Sequence, residues 1–403
     1  MMRGAIIKEP AMNDKTPVIC LVTDVYWPAK GGVEAWVHAH SCHLAKKYTV
    51  SVIAHAKDNS LGGMLSRTVM LHGFAPFSDD FGTPVSSLSP SFLGRIVMLP
   101  FLLWNFPLVR RLWAKPVFDF LYIFYRAAFF ARLSDTLANA DLVHCFSTGH
   151  LAVCVTEACK KRGIRLMHSP PVHTGKWGDS PLLLSAYAQA DVVGCLSQSF
   201  KKEFESRAPA PLPRISVVPA LTIEQRERKR PASVPQEPFI LFLGRREKHK
   251  GLDLLLSAFE GSRANAAMVI AGPGRKSRVS VPSCFDLGEV DDPEKQWLLE
   301  NCEIFCMPSE DESFGIVYTE AMRCAKPVVA LDVAPVNELV VNGTTGILVP
   351  VGNRDALASA LARLLENDHL RKTLGQEGLR RYTVMYSPDV IVARTIKEYG
   401  YGG

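Results

Sequence analysis

No two of the ten cysteines form a CxxC pair, and Cys302 and Cys306 have no histidine nearby to complete a metal site. Most lie inside apolar runs, as Cys20, Cys145, Cys154, Cys195 and Cys306 do. This excludes a disulfide scaffold and reads as reduced core thiols in a cytoplasmic protein. GxGxxG follows neither candidate first strand, which disfavours a dinucleotide oxidoreductase. No convincing Asp-x-Asp stands at a strand end, so no divalent metal is expected. Residues 1–15 carry no sustained apolar run, so the expectation there is a disordered lead-in without a signal peptide. The apolar run 96–109 is only 14 residues long and is broken by Pro100, Asn105 and Pro107. It is too short to cross a bilayer as a helix. With 21% charged residues, the chain is not a disordered one either.

What is present suits two domains. The chain has 403 residues, 47% of them hydrophobic, enough for two separate cores. Charge is uneven. Residues 1–220 hold 23 Lys and Arg against 15 Asp and Glu, whereas residues 221–403 hold 23 against 25. A basic first half suits acidic lipid, nucleic acid or an anionic acceptor. Residues 224–238, EQRERKRPASVPQEP, are charged and proline-rich without apolar period, which marks a linker. The expected division is a lead-in at 1–15, a first domain at 16–222, a linker at 223–238, a second domain at 239–382, and a C-terminal helix in 383–403.

Both halves open alike. Residues 18–23, VICLVT, form a continuous apolar run, the mark of a buried parallel strand. A turn with Gly31-Gly32 follows, then a helix and a second strand at 48–54. Glycines at a helix start let backbone approach a ligand closely. Residues 57–90 show little pattern beyond a strand near 68–71. Further strands fall at 141–146, 164–168, 191–197 and 216–219. The second half begins with FILFLGR at 239–245, a basic turn through Lys250-Gly251, and a helix. Strand, turn, helix and strand repeated in this way predict an α/β fold.

The chain is organised around residues 304–329, IFCMPSEDESFGIVYTEAMRCAKPVV. A short buried strand leads into an acidic turn. A helix starts near Gly315 with Val317, Ala321 and Cys324 on one face, and Lys326-Pro327 stop it. Open parallel sheets bind ligands at such a strand end. The first helical turn offers unpaired N–H groups to phosphate or sugar hydroxyls. Glu312 lies in the loop and Glu320 roughly 7 Å down the helix. The two carboxylates are spaced to grip separate parts of one extended ligand.

The run Pro308-Ser309, Glu312-Ser313-Phe314-Gly315, Glu320-Ala321-Met322, Pro327-Val328-Val329 resembles the E-x7-E signature of retaining glycosyltransferases, most of all family 4. Ser313 departs from the usual Gly. The resemblance covers about residues 16–400 and implies the GT-B fold, two Rossmann-like domains with parallel sheets facing a central cleft. It implies a nucleotide diphosphate sugar as donor, a hydroxyl acceptor and no cofactor. By the same resemblance, Glu312 orients the donor sugar and Glu320 holds the ribose hydroxyls. The loop Ser313-Phe314-Gly315-Ile316 meets the donor, and Arg245 and Lys250 clamp the diphosphate. Gly31 and Gly32 meet donor phosphate or acceptor, and the turn within 285–290 packs near the nucleobase. His173, preferred over His168 because Gly-x-Trp-Gly-Asp follows it, reaches the donor sugar as a catalytic residue. Family mechanism implies front-face attack, with the leaving phosphate taking the acceptor proton; a glycosidase-like double displacement is the rival.

Three other readings stand beside this one. They are a phosphorylase- or sucrose-synthase-like use of the fold, a non-catalytic nucleotide-sugar-binding protein, and a soluble natural-product glycosyltransferase. No nucleic-acid partner is expected. Residues 92–115 combine Trp104, Phe106 and Trp113 with Arg95, Arg110, Arg111 and Lys115, a composition suited to peripheral contact with an anionic membrane. Residues 118–133 are expected to form a helix packed on the first sheet.

Overall fold

A computed structural model of the protein describes residues 16–57, 73–99, 115–173, 177–262, 266–274 and 283–401. The first sheet contains β1 (Val18–Val25), β2 (Thr49–Ala56), β3 (Phe77–Ser78), β4 (Pro84–Ser87), β5 (Leu142–Cys145), β6 (Arg165–His168), β7 (Val192–Cys195) and β8 (Arg214–Val217). Their order in space is 3-4-2-1-5-6-7-8, parallel except for β3 against β4. The second sheet contains β9 (Phe239–Leu243), β10 (Ala267–Ala271), β11 (Cys284–Gly288), β12 (Ile304–Cys306), β13 (Val328–Leu331) and β14 (Gly346–Val349), in the parallel order 11-10-9-12-13-14.

Helices cover both faces of each sheet. They are α1 (Gly32–Leu44), α2 (Phe92–Val97), α3 (Lys115–Thr136), α4 (His150–Arg162), α5 (Pro181–Ala188), α6 (Gln198–Arg207), α7 (Leu252–Ser262), α8 (Asp292–Asn301), α9 (Ile316–Arg323), α10 (Val336–Leu339), α11 (Arg354–Glu366), α12 (Asp368–Met385) and α13 (Pro388–Tyr399). A strand covered on both faces reads as a nearly continuous apolar run, and β1 does so from Val18 to Val22. Ile19 and Leu21 join one core while Cys20 and Val22 join the other. The first of these cores runs on into the second domain without a break. This is the two-domain, parallel-sheet architecture that the repeated strand–helix pattern predicts.

Three details differ from the sequence reading. Within 57–90 the sheet gains the pair β3 and β4, whose short strands carry no period; the strand expected near 68–71 lies outside the described residues. The helix expected at 118–133 runs longer, from Lys115 to Thr136. On α9 the buried stripe is Tyr318, Ala321 and Met322, while Val317 and Cys324 are only half-buried. Tyr318 decides this. Its ring meets Phe305 edge-to-face at 5.8 Å, and its hydroxyl donates to the Met307 carbonyl at 2.8 Å. The aromatic payload turns the helix onto the strand it follows.

The linker is not a free tether. Arg228 pairs with Glu300 at 2.8 Å, and Lys229 reaches Asp291 and Glu294 at 2.8 and 3.0 Å. The C-terminal helix α13 packs on the first sheet. There the Tyr399 hydroxyl meets His144 Nδ1 at 2.7 Å, and Arg214 pairs with Glu398 at 2.8 Å. Glu338 on α10 accepts the Gln198 and Ser199 N–H groups of α6, both at 2.7 Å, a second tie between the domains.

Candidate active site

In the second sheet the chain starts at the middle with β9, steps outward to β11, and returns to β12 on the other side. The strand order therefore reverses between β9 and β12. Open α/β sheets hold ligands in the crevice at the carboxyl ends of such a pair. The two loops there are bound to each other: the Glu310 N–H and the Ser309 hydroxyl both donate to the His249 carbonyl, at 2.8 and 3.2 Å.

Arg245 and Lys250 follow β9, Glu312 to Gly315 follow β12, and Ile316 and Glu320 lie on α9, whereas the turn within 285–290 follows β11 at the edge of the sheet. Lys250 Nζ stands 2.8 Å from Glu312 Oε1, with the two side chains 8% and 9% exposed. A buried pair of this kind is costly to break from one side, because the remaining charge is stranded. Glu320, on the second turn of α9, is buried and takes Lys295 Nζ of α8 at 2.8 Å. Burial works against the charge on Lys295, but Glu320 beside it raises its pKa above the ordinary lysine value. Gly315 precedes α9 in the left-handed region at φ 92°, and a Cβ there would lie 2.5 Å from the Tyr318 ring. Only glycine permits this entry. No side chain caps α9, so its first N–H groups stay available to a ligand. Ser313 is half-buried, Phe314 packs edge-to-face on Tyr386 at 6.2 Å, and Ile316 is the first helical residue.

The first sheet reverses its order too, between β1 and β5. Gly31 and Gly32 follow β1 at the start of α1, which also lacks a side-chain cap. A Cβ on Gly32 would lie 3.8 Å from Ile316 Cδ1. The N-termini of α1 and α9 therefore meet across the interdomain cleft, and both helix dipoles present their positive ends to it. At the same border Lys30 Nζ is 3.3 Å from Glu289 Oε1 and 3.5 Å from the Val290 carbonyl.

His173 follows β6. It bridges to Trp177, whose ring lies 4.5 Å from the imidazole, and its Nδ1 stands 3.2 Å from Asp311 Oδ1 of the acidic loop. His168 is a core residue: its Nε2 sits 2.8 Å from the Thr156 hydroxyl, and burial lowers its pKa to about 3. His173 thus faces Asp311 of the other domain while His168 does not.

The two proposed clamp cations are held differently. Lys250 is buried on Glu312, whereas Arg245 is 59% exposed and pairs with Glu247 at 2.8 Å. Sequence reasoning missed Lys295, Asp311 and the buried pair Arg246–Asp286. Nothing local points Lys295 at a residue 25 positions away. Among the described residues no group of three or more His, Cys, Asp or Glu side chains is arranged to hold a metal ion. No described helix is long and apolar enough to cross a membrane. Trp104, Phe106, Arg110, Arg111 and Trp113 lie outside the described residues.

A family model described as Glycosyltransferase Family 4 matches residues 30–220, and one described as Glycosyl transferases group 1 matches residues 223–381. A phosphatidyl-myo-inositol mannosyltransferase of Mycobacterium leprae is 37% identical over 177 residues, 40% of this chain and 47% of that protein. The match spans about half the length of that curated relative. An uncharacterised glycosyltransferase of Methanocaldococcus jannaschii is 27% identical over 294 residues, 64% of this chain and 75% of that one. The Anabaena protein HepE, solved with UDP and glucose, superposes at a TM-score of 0.68 with 18% identity, covering 94% of this chain and 99% of that one. That likeness gives the fold, GT-B. With both halves matched in order along the chain, the protein belongs to the group 1, family 4 glycosyltransferases.

Proposed function

We propose that the protein moves a hexose from a nucleotide diphosphate sugar to an acceptor hydroxyl with retention of anomeric configuration. One observation carries this: two carboxylates, each held by a lysine, flank the uncapped start of α9 where it meets the start of α1. Lys250, Arg245 and the two helix ends suit the diphosphate, whose charge grows as the glycosidic bond breaks. Glu320 suits the ribose diol, and Glu312 and His173 suit the sugar. In the proposed step the anomeric C–O bond to the phosphate breaks, the acceptor oxygen bonds to that carbon on the same face, and its proton passes to the leaving phosphate oxygen. The relatives and HepE support a nucleotide-sugar donor.

The assay is transfer from a panel of nucleotide sugars, with the product anomer read by NMR. Inversion would overturn retention, and wild-type binding without turnover would favour the non-catalytic reading. Divalent metal is not required in this scheme. Activity is expected to persist in EDTA, and full loss restored by Mg²⁺ or Mn²⁺ would contradict it.

The proposed acceptor is a lipid-linked or other glycoconjugate met at the inner face of a membrane. Phe92, Leu93, Ile96 and Leu99 around α2 are exposed, Phe92 by 77%, and so are Phe120 and Ile123 on α3, with Arg95 among them. Apolar surface beside cations suits an anionic bilayer. Flotation with anionic vesicles that weakens with added salt is the expected result. No binding, with full activity on a water-soluble acceptor, would favour the soluble small-molecule reading.

A further inference from the structure

Next to exposed Arg245, the side chain of Arg246 is only 6% exposed. Its Nη2 donates to Asp286 Oδ1 at 2.7 Å, and its Nε donates to the Gly272 carbonyl at 3.4 Å. Asp286 Oδ1 also accepts the Gly288 N–H at 2.9 Å, so the carboxylate is itself anchored. The turn after β10 closes on this arginine. The Arg246 N–H donates to the Pro273 carbonyl at 3.1 Å, and a Cβ on Gly274, at φ 124°, would lie 2.7 Å from Arg246 Cγ. Yet Nη1 is buried with no partner. A buried guanidinium nitrogen left without an acceptor is costly and calls for an explanation.

The position suggests what supplies the acceptor. Arg246, Gly272 and Asp286 sit at the carboxyl ends of β9, β10 and β11, the ligand edge of the sheet. The turn just beyond Asp286 borders the cleft, since Lys30 of the first domain reaches Glu289 and Val290. That turn leads to Asp291, the N-cap of α8, and one turn further Lys295 holds Glu320. A nucleotide with its ribose on Glu320 therefore directs its base toward this turn.

Resting on the donor reading above, we infer that Arg246, fixed by Asp286, determines base specificity: its free Nη1–H donates to a carbonyl oxygen of the donor's base. A guanidinium has donors only. It matches a base edge whose group there is a carbonyl, O4 of uracil or O6 of guanine, and opposes one whose group there is an amino group, N4 of cytosine or N6 of adenine.

The test is calorimetric titration of wild type and Arg246→Gln with UDP, GDP, CDP, ADP and inorganic pyrophosphate. Wild type binds UDP or GDP about ten- to a hundred-fold more tightly than CDP and ADP. Arg246→Gln loses that margin and keeps its pyrophosphate affinity. Equal wild-type affinities for the four nucleotides overturn the assignment. So does Arg246→Gln weakening pyrophosphate as much as UDP, since the guanidinium then acts on phosphate. Wild type that binds no nucleotide refutes the donor reading itself, a different outcome. Asp286→Asn, which keeps the side-chain shape, narrows the margin with the same sign, and this decides the case should Arg246→Gln fail to fold.

Discussion

The two domains treat buried polarity in opposite ways. In the second, opposite charges neutralise each other around the carboxyl ends of the strands: Lys250 on Glu312, Lys295 of α8 on Glu320 of α9, Arg246 on Asp286 of β11. In the first, the strands and helices around β1 and β5 hide histidines. His40, His55, His144 and His168 are all buried, and burial pushes the pKa of each below the usual value, to about 4 for His40 and about 3 for His168. Ion pairs facing a cleft can exchange partners with a charged ligand. Neutral histidines under a sheet cannot, and they hold the fold only while unprotonated. The second domain's paired charges face the cleft, whereas these four histidines of the first lie neutral in its interior.

The largest expected effect breaks the second half of that comparison. Each folded histidine pKa lies below that of the free side chain, so the unfolded chain takes up protons first. Stability is complete above about pH 6.5 and falls as the pH drops toward 4, by about 1.4 kcal/mol per histidine and pH unit. Denaturant titrations across that window should lose on the order of 3 kcal/mol at pH 4 from His40 alone. His40→Gln should flatten the slope by one proton; an unchanged slope would show that this histidine does not govern acid stability.

Next come the ion pairs. Lys250→Ala and Glu312→Ala should each lower kcat/KM by about 10²–10³, the scale of removing one preorganised charged group. Arg245→Ala should lower it at least tenfold although the residue is exposed, because a ligand phosphate competes with Glu247 for it. A smaller fall would leave Lys250 as the sole clamp. Glu320→Ala should weaken binding of the bare nucleoside diphosphate about tenfold or more while Glu312→Ala leaves that affinity near wild type. Equal nucleotide affinity in wild type and Glu320→Ala would remove the ribose assignment.

The smallest effect is structural. The Tyr399 hydroxyl of α13 and the Ser169 hydroxyl both meet His144, at 2.7 and 2.8 Å. Tyr399→Phe leaves Nδ1 of that ring without a partner and should cost about 1–3 kcal/mol of stability with little change in kcat. A fall in kcat at unchanged stability would instead tie α13 to the motion of the two domains.

Much was legible from the chain alone. Continuous apolar runs at 18–23, 239–243 and 304–306 told of strands buried on both faces, and a glycine after such a strand told of a helix start that backbone alone can furnish. The spacing from Glu312 through Gly315 to Glu320 carried the loop and the helix turn together, because a helix converts spacing directly into distance. Pairing across the chain was not legible. That Lys295 faces Glu320, that His173 faces Asp311, and that Arg246 rather than Arg245 is the buried guanidinium follow from which strands lie side by side. Val317 and Cys324 fitted a helical face as well as Tyr318 and Met322 did; the ring of Phe305 chose between them. Local physics is written in neighbouring residues, so the sequence by itself determined the strands, the helix starts and the candidate residues. Partners, burial and the meeting of α1 with α9 depend on strand order and domain packing, and those only the tertiary structure decided.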